Sequence, residues 1–218
     1  MGKFSIKGLI KFGQKEHLEA LLDEGIIYMN NIDYFRRYEK SCPGHLRGDR
    51  YECFDRISQH NTIIFFDESP WEIDGVTVFE NRNTYPGYLY CMYAIHSDNS
   101  NPQIDNRMLD FGEYAVIILN PREFIDRILS YCAKNHLCPN CFPVQYYDES
   151  IKEGLLHPFE KRDKYAYQSE ARIYIHATNP QEQMVLRIGA LNDIAFLAKR
   201  IKIQNNQNAL IYLKGFRG

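Results

Sequence analysis

Residues 165–175 read Tyr165-Ala166-Tyr167-Gln168-Ser169-Glu170-Ala171-Arg172-Ile173-Tyr174-Ile175, a single acid at the head of a β-prone run with a glutamine two places before it. Alternate side chains of an extended backbone share a side, so Gln168 and Glu170 are expected to point the same way. If that side lines a cleft with aromatic walls, the pair suits cleavage of a glycosidic bond. Positive charge builds on the sugar as the bond breaks, and a fixed carboxylate stabilises it. The competing reading is an edge strand whose Gln168 and Glu170 are simply solvated.

Two other groups of residues have chemistry-bearing spacing. Arg47-Gly48-Asp49-Arg50-Tyr51-Glu52 packs two cations and two acids beside a glycine. Arginine forks bind phosphate bidentately and glycine permits close backbone approach, so Arg47 and Arg50 are candidates for a phosphate. A turn held by local ion pairs is the alternative. Cys132, His136, Cys138 and Cys141 lie within ten residues, and Cys138-Pro139-Asn140-Cys141 is a CxxC. The spacer of about 12 residues or more that separates the ligand pairs of ordinary zinc sites is missing, so no metal is expected. A compact site of these four residues, with Cys132 and His136 four apart at a helix end, is the alternative. No thioredoxin-like βαβ context surrounds the CxxC. Neither HExxH, a P-loop nor a glycine-rich dinucleotide fingerprint occurs, which argues against a zincin, a P-loop nucleotidase and a Rossmann dehydrogenase.

The elements that must position these residues follow from pattern. Of 218 residues, 44% are hydrophobic and 25% charged, ordinary values for a globular protein with a core. The 16 Tyr and 13 Phe favour strands. Strands are expected over 4–12, 26–29, 62–66, 88–95, 114–119, 144–147, 170–177, 184–188, 201–203 and 210–213. Asp74-Gly75 between β-prone runs predicts a hairpin turn within 71–78. Helices are expected over 14–24, stopped by Gly25, and over 31–38, capped by Asn31 or Asp33. Asn120-Pro121-Arg122-Glu123 starts another that runs to about Lys134, with Phe124, Ile125, Ile128 and Leu129 inward. A further short helix is expected over 191–198. No linker or repeat divides the chain, so residues 1–218 read as one α+β domain without βαβ alternation. The net charge of −2 excludes a basic nucleic-acid coating protein but leaves room for a local basic groove. No signal-peptide stretch and no membrane-length apolar run is evident, so cytoplasmic location, no membrane contact and mostly reduced cysteines are expected.

Tyr167-Gln168-Ser169-Glu170 resembles the Tyr-Gln-x-Glu segment of the DarT-type nucleic-acid ADP-ribosyltransferase toxins, and Gln-x-Glu matches one form of the wider ADP-ribosyltransferase signature. Ile26-Ile27-Tyr28-Met29, Tyr34-Phe35-Arg36, Arg47-Gly48-Asp49 and Glu52 resemble a family of bacterial proteins sharing a Tyr-x-x-Glu-x-Arg segment, matched here by Tyr167, Glu170 and Arg172. The resemblance implies a single domain with a split, mixed β-sheet core and a few short helices, clamping NAD in its cleft. It implies that Glu170 holds the ribose hydroxyl beside the scissile bond and that Gln168 positions the acceptor. Tyr28, Tyr34 or Phe35 would stack on nicotinamide, Arg47 or Arg50 would take the pyrophosphate, and Tyr167 would complete the NAD-binding set. Many members carry Arg or His in the first strand; Lys11 stands there in this chain. The implied function is an NAD-dependent mono-ADP-ribosyltransferase, a toxin or phage-defence effector with a nucleobase of RNA or DNA as acceptor and an antitoxin protein as partner. An NAD glycohydrolase and a non-enzymatic binding module are the alternatives.

Overall fold

A computed structural model describes residues 6–41, 52–53, 56–66, 69–80, 85–96 and 104–199. Arg47, Arg50 and the strands expected over 201–203 and 210–213 lie outside the described residues. The chain runs through β1 (Ile6–Gly13), α1 (Lys15–Glu19) with a π turn (Ala20–Glu24), β2 (Ile26–Asn31) and α2 (Ile32–Ser41). β3 (Arg56–Phe66), β4 (Ser69–Glu80), β5 (Gly87–His96), a 3-10 turn (Asn106–Phe111), β6 (Tyr114–Ile118) and α3 (Pro121–Lys134) follow. Short strands β7 (Pro139–Pro143), β8 (Gln145–Tyr147), β9 (Gly154–Leu155) and β10 (Glu160–Arg162) lead to a second 3-10 turn (Asp163–Gln168). β11 (Glu170–His176), β12 (Gln183–Arg187) and β13 (Ala195–Lys199) close the described chain.

Eight strands form one sheet centred on β5, and every described pair within it is antiparallel. The expected α+β class holds. The expected mixture of strand directions does not hold for this sheet: among the described residues parallel pairing occurs only in the separate β8–β10 pair. β5 and β11 bury residues on both faces; β5 is accordingly apolar without alternation, while β11 also buries the charged Glu170 and Arg172.

The register of β5 explains the cleft. Tyr93 pairs with Ile10 of β1 across one edge and with Glu170 of β11 across the other. Tyr88 pairs with Asn31 of β2 across one edge and with Ile175 of β11 across the other. β1 and β2 therefore share one edge of β5, β1 near its end and β2 near its start. Between them Tyr90, Cys91 and Met92 have a described ladder partner only in β11. The sheet forks at this point.

One face of the sheet packs Leu9, Ile27, Met29, Tyr90, Met92 and Val116 against Leu18 and Leu21 and against Phe124, Ile128 and Cys132 of α3. The other face buries Ile10, Tyr93 and Ile117 against Met108, and Leu89 and Tyr174 against Ile32 and Cys53. Helix ends follow their caps. The Asn31 side chain accepts the Tyr34 N–H at 2.8 Å, and the Asn120 side chain accepts the Glu123 N–H at 3.1 Å. Gly25 ends the π turn at φ 66, and a Cβ there would lie 1.9 Å from the Gly189 carbonyl oxygen.

Three expectations change. Asp74 and Gly75 do not turn a hairpin: His60 pairs with Val76 and Thr62 with Ile73, so the two residues oppose Asn61 as a bulge inside β4. Residues 191–198 form no helix, because only a turn from Leu191 precedes β13, whose backbone takes the free edge of β6. Leu129 is exposed and Cys132 takes the inward position on α3. Among the described residues no helix is long and apolar enough to cross a membrane.

Candidate active site at the fork of the sheet

The fork opens into a cleft of about 560 Å³, within the range of small-molecule sites. Lys11 of β1, Tyr28 of β2, Tyr34 and Phe35 of α2, Gln168 and Glu170 all line it. Six residues chosen from 160 positions of sequence thus meet around one space. His17, Tyr90 and Tyr93 add aromatic surface, and Tyr34 meets Phe35 edge-on at 5.3 Å. Lys11 Nζ donates to the Cys91 carbonyl at 2.7 Å and sits 4.2 Å over the Tyr90 ring. It spans the gap that β1 and β2 leave open on β5.

Gln168 and Glu170 come together by a different route from strand alternation. Gln168 ends a 3-10 turn, Ser169 is left-handed at φ 41, and Glu170 is the first residue of β11. The kink brings the two side chains to one ammonium. Lys161 Nζ donates to Gln168 Oε1 at 2.8 Å and to Glu170 Oε1 at 2.5 Å. Ser169 is held in the kink by its hydroxyl, which donates to the Ala94 carbonyl, and by the Ala94 N–H, which donates to the Ser169 carbonyl.

Glu170 Oε2 accepts from Arg172 Nε at 2.7 Å. Arg172 in turn pairs with the Glu52 carboxylate at 2.7 Å. The Arg36 guanidinium of α2 donates to the backbone carbonyls of Glu52 and Cys53, so the helix carrying Tyr34 and Phe35 is tied to the same cluster. Glu52, Lys161, Glu170 and Arg172 are all buried, two charges of each sign. Burial alone would push the Glu170 carboxyl up; Arg172 and Lys161 outweigh it and hold the group well below the usual carboxylate range. Burial pushes the Cys91 thiol up to about 12, so this cleft residue supplies no thiolate near neutral pH.

Tyr167 is not among the residues lining the cleft. Its hydroxyl accepts from Gln168 Nε2 at 3.0 Å, and its ring carries the Arg107 guanidinium at 3.5 Å. It therefore orients Gln168. The cysteine set is not assembled. Cys132 is buried in α3, Cys141 is half-buried on β7, and His136 and Cys138 are exposed. Among the described residues no group of three or more His, Cys, Asp or Glu could hold a metal ion.

Lys161 and the role of Glu52 were not legible from sequence. Lys161 lies in Glu160-Lys161-Arg162-Asp163-Lys164, which reads as a solvated charge run. Arg172 did carry a signal: a charge within an apolar strand can be buried only beside a partner, and Glu170 is two residues away. Compared with known proteins, the chain matches no family model, no curated protein and no solved structure.

Proposed function

We propose that the protein is an NAD-dependent ADP-ribosyltransferase whose chemistry takes place at Glu170 in the forked cleft. The observation that carries this reading is the meeting of Gln168 and Glu170 with Lys11, Tyr28, Tyr34 and Phe35 around one space. Tyr34 and Phe35 give flat apolar surface for the nicotinamide ring, and Lys11 gives a cation for the ribose-phosphate part. Glu170 accepts a hydrogen bond from the ribose hydroxyl beside the N-glycosidic bond. As that bond breaks, nicotinamide leaves with the bonding pair and the sugar becomes oxocarbenium-like. The fixed carboxylate stabilises that charge without reorganising. The acceptor then attacks the anomeric carbon and its proton passes to solvent. Gln168, the other polar group on Lys161, faces the acceptor.

The acceptor we propose is a nucleobase, in keeping with the Tyr-Gln-x-Glu resemblance. The test is incubation of pure protein with adenine-labelled NAD, alone and with RNA, DNA or cell lysate, with nicotinamide and label followed separately. Label on RNA or DNA is the expected result. Label on protein alone would move the acceptor class, and nicotinamide release with free ADP-ribose would make the protein a glycohydrolase. No consumption of NAD under any condition would overturn the reading in favour of a binding module.

A further inference from the structure

The buried cluster contains a group that the transferase reading leaves without a task. We propose that Lys161 is the positioning residue of this site: its ammonium locks Gln168 and the Glu170 carboxylate into one geometry and keeps Glu170 aimed into the cleft. The proposal deepens the transferase reading and rests on it for its catalytic consequence.

Lys161 is 5% exposed and lies on β10, outside the main sheet. β10 pairs in parallel with β8, whose Tyr146 hydroxyl accepts the Glu170 N–H at 2.8 Å. The β8–β10 pair thus grips Glu170 twice, at its backbone through Tyr146 and at its carboxylate through Lys161. The same ammonium holds Gln168 at 2.8 Å and stands 3.9 Å from Glu52 and 4.7 Å from the Tyr165 ring. A lysine on a four-carbon stem is held this tightly only when several acceptors converge on it, since its rotamer entropy opposes the arrangement. It joins the two candidate catalytic side chains directly. Arg172 reaches Glu170 Oε2 but is engaged by Glu52 and the Pro158 carbonyl rather than by Gln168.

The groups facing Glu170 are Lys161 from β10, Arg172 from its own strand, Tyr146 from β8 and Cys91 from β5, with Glu52 behind the cations. The cations hold the carboxyl low, and Tyr146 and Cys91 are themselves pushed up by burial and stay neutral. Removing Lys161 therefore moves the Glu170 titration upward. Turnover, which needs the anion, then falls on the acid side and returns as pH rises.

The test is Lys161→Met, isosteric and neutral, read in two ways. Glu170 is titrated by carbon-13 NMR of glutamate-labelled protein, assigned by the signal lost in Glu170→Gln. Its midpoint is expected to rise by about 1–3 pH units, the range one adjacent opposite charge commands. In NAD turnover the acid limb of kcat moves up with it, and kcat at the plateau falls about tenfold or more because Gln168 and Glu170 lose their common anchor. If Lys161→Met does not fold, Glu52→Gln/Lys161→Met keeps the cluster charge-balanced and is expected to show an upward midpoint of smaller size, since an acid leaves with the cation. A midpoint and acid limb that stay in place, with only a lower melting temperature, overturn the proposal. If the wild type consumes no NAD, the transferase reading fails by itself. The carboxylate titration still decides whether Lys161 sets the charge of Glu170.

Discussion

Removing the Glu170 carboxylate leaves Lys161 and Arg172 facing one acid, Glu52, instead of two. Loss of one partner from a buried ion pair costs about 3–5 kcal/mol, because the remaining charge stays buried. Glu170→Gln is isosteric, which by shape alone predicts an intact fold. The cluster predicts instead a folded but clearly less stable protein, and urea unfolding checks it: the midpoint drops well below that of wild type. An unchanged midpoint would mean that the cluster relaxes into solvent. Glu170 and Gln168 were legible as candidates because polar residues interrupt an aromatic and aliphatic run. The geometry was not, since alternation places them on one side while the observed link is the left-handed Ser169 and the Lys161 ammonium. A residue as unmarked in sequence as Lys161 becomes visible only when β10 is placed.

At the scale of elements, local chemistry was the reliable guide. Gly25, Asn31 and Asn120 each ended or began a helix where their side chains, or the lack of one, require it. Gly25 also fixes the entry to β2, and so the wall that carries Tyr28. Gly25→Ala is expected to destabilise by more than about 1 kcal/mol, through the left-handed φ and the clash with Gly189. A melting temperature equal to wild type would show that the α1–β2 junction relaxes freely. Long-range pairing was the part that sequence did not carry. Asp74-Gly75 has the composition of a two-residue turn, yet the cross-strand register with β3 absorbs it as a bulge. Residues 195–199 extend because β6 offers an unpaired edge, which no local pattern reports.

At the scale of the molecule, the fork couples stability to pH through Glu170. Its folded carboxyl lies below the usual value of 4.5, so the stability it contributes is fully present above about that pH and is lost as pH falls toward the depressed value. Asp105, Asp148 and Asp193 are also lowered, but they pair at the surface, where screening leaves little of the effect. The melting temperature is therefore expected to be level between pH 8 and 5 on their account and to fall below about 4.5, with little dependence on salt. A melting temperature that rises on acidification below pH 4.5 would contradict the ion-paired cluster. The α+β class was legible from strand and helix counts, whereas the all-antiparallel main sheet and its fork depend on pairing between residues as distant as Ile10, Tyr93 and Glu170. The measurement that tests the central claim most directly is nicotinamide release from NAD by wild type and by Glu170→Gln, each verified as folded by near-ultraviolet circular dichroism at the assay temperature. Loss of about 10²–10³-fold in the rate, with NAD binding retained, is the predicted result. A folded Glu170→Gln protein that releases nicotinamide at the wild-type rate would contradict the account.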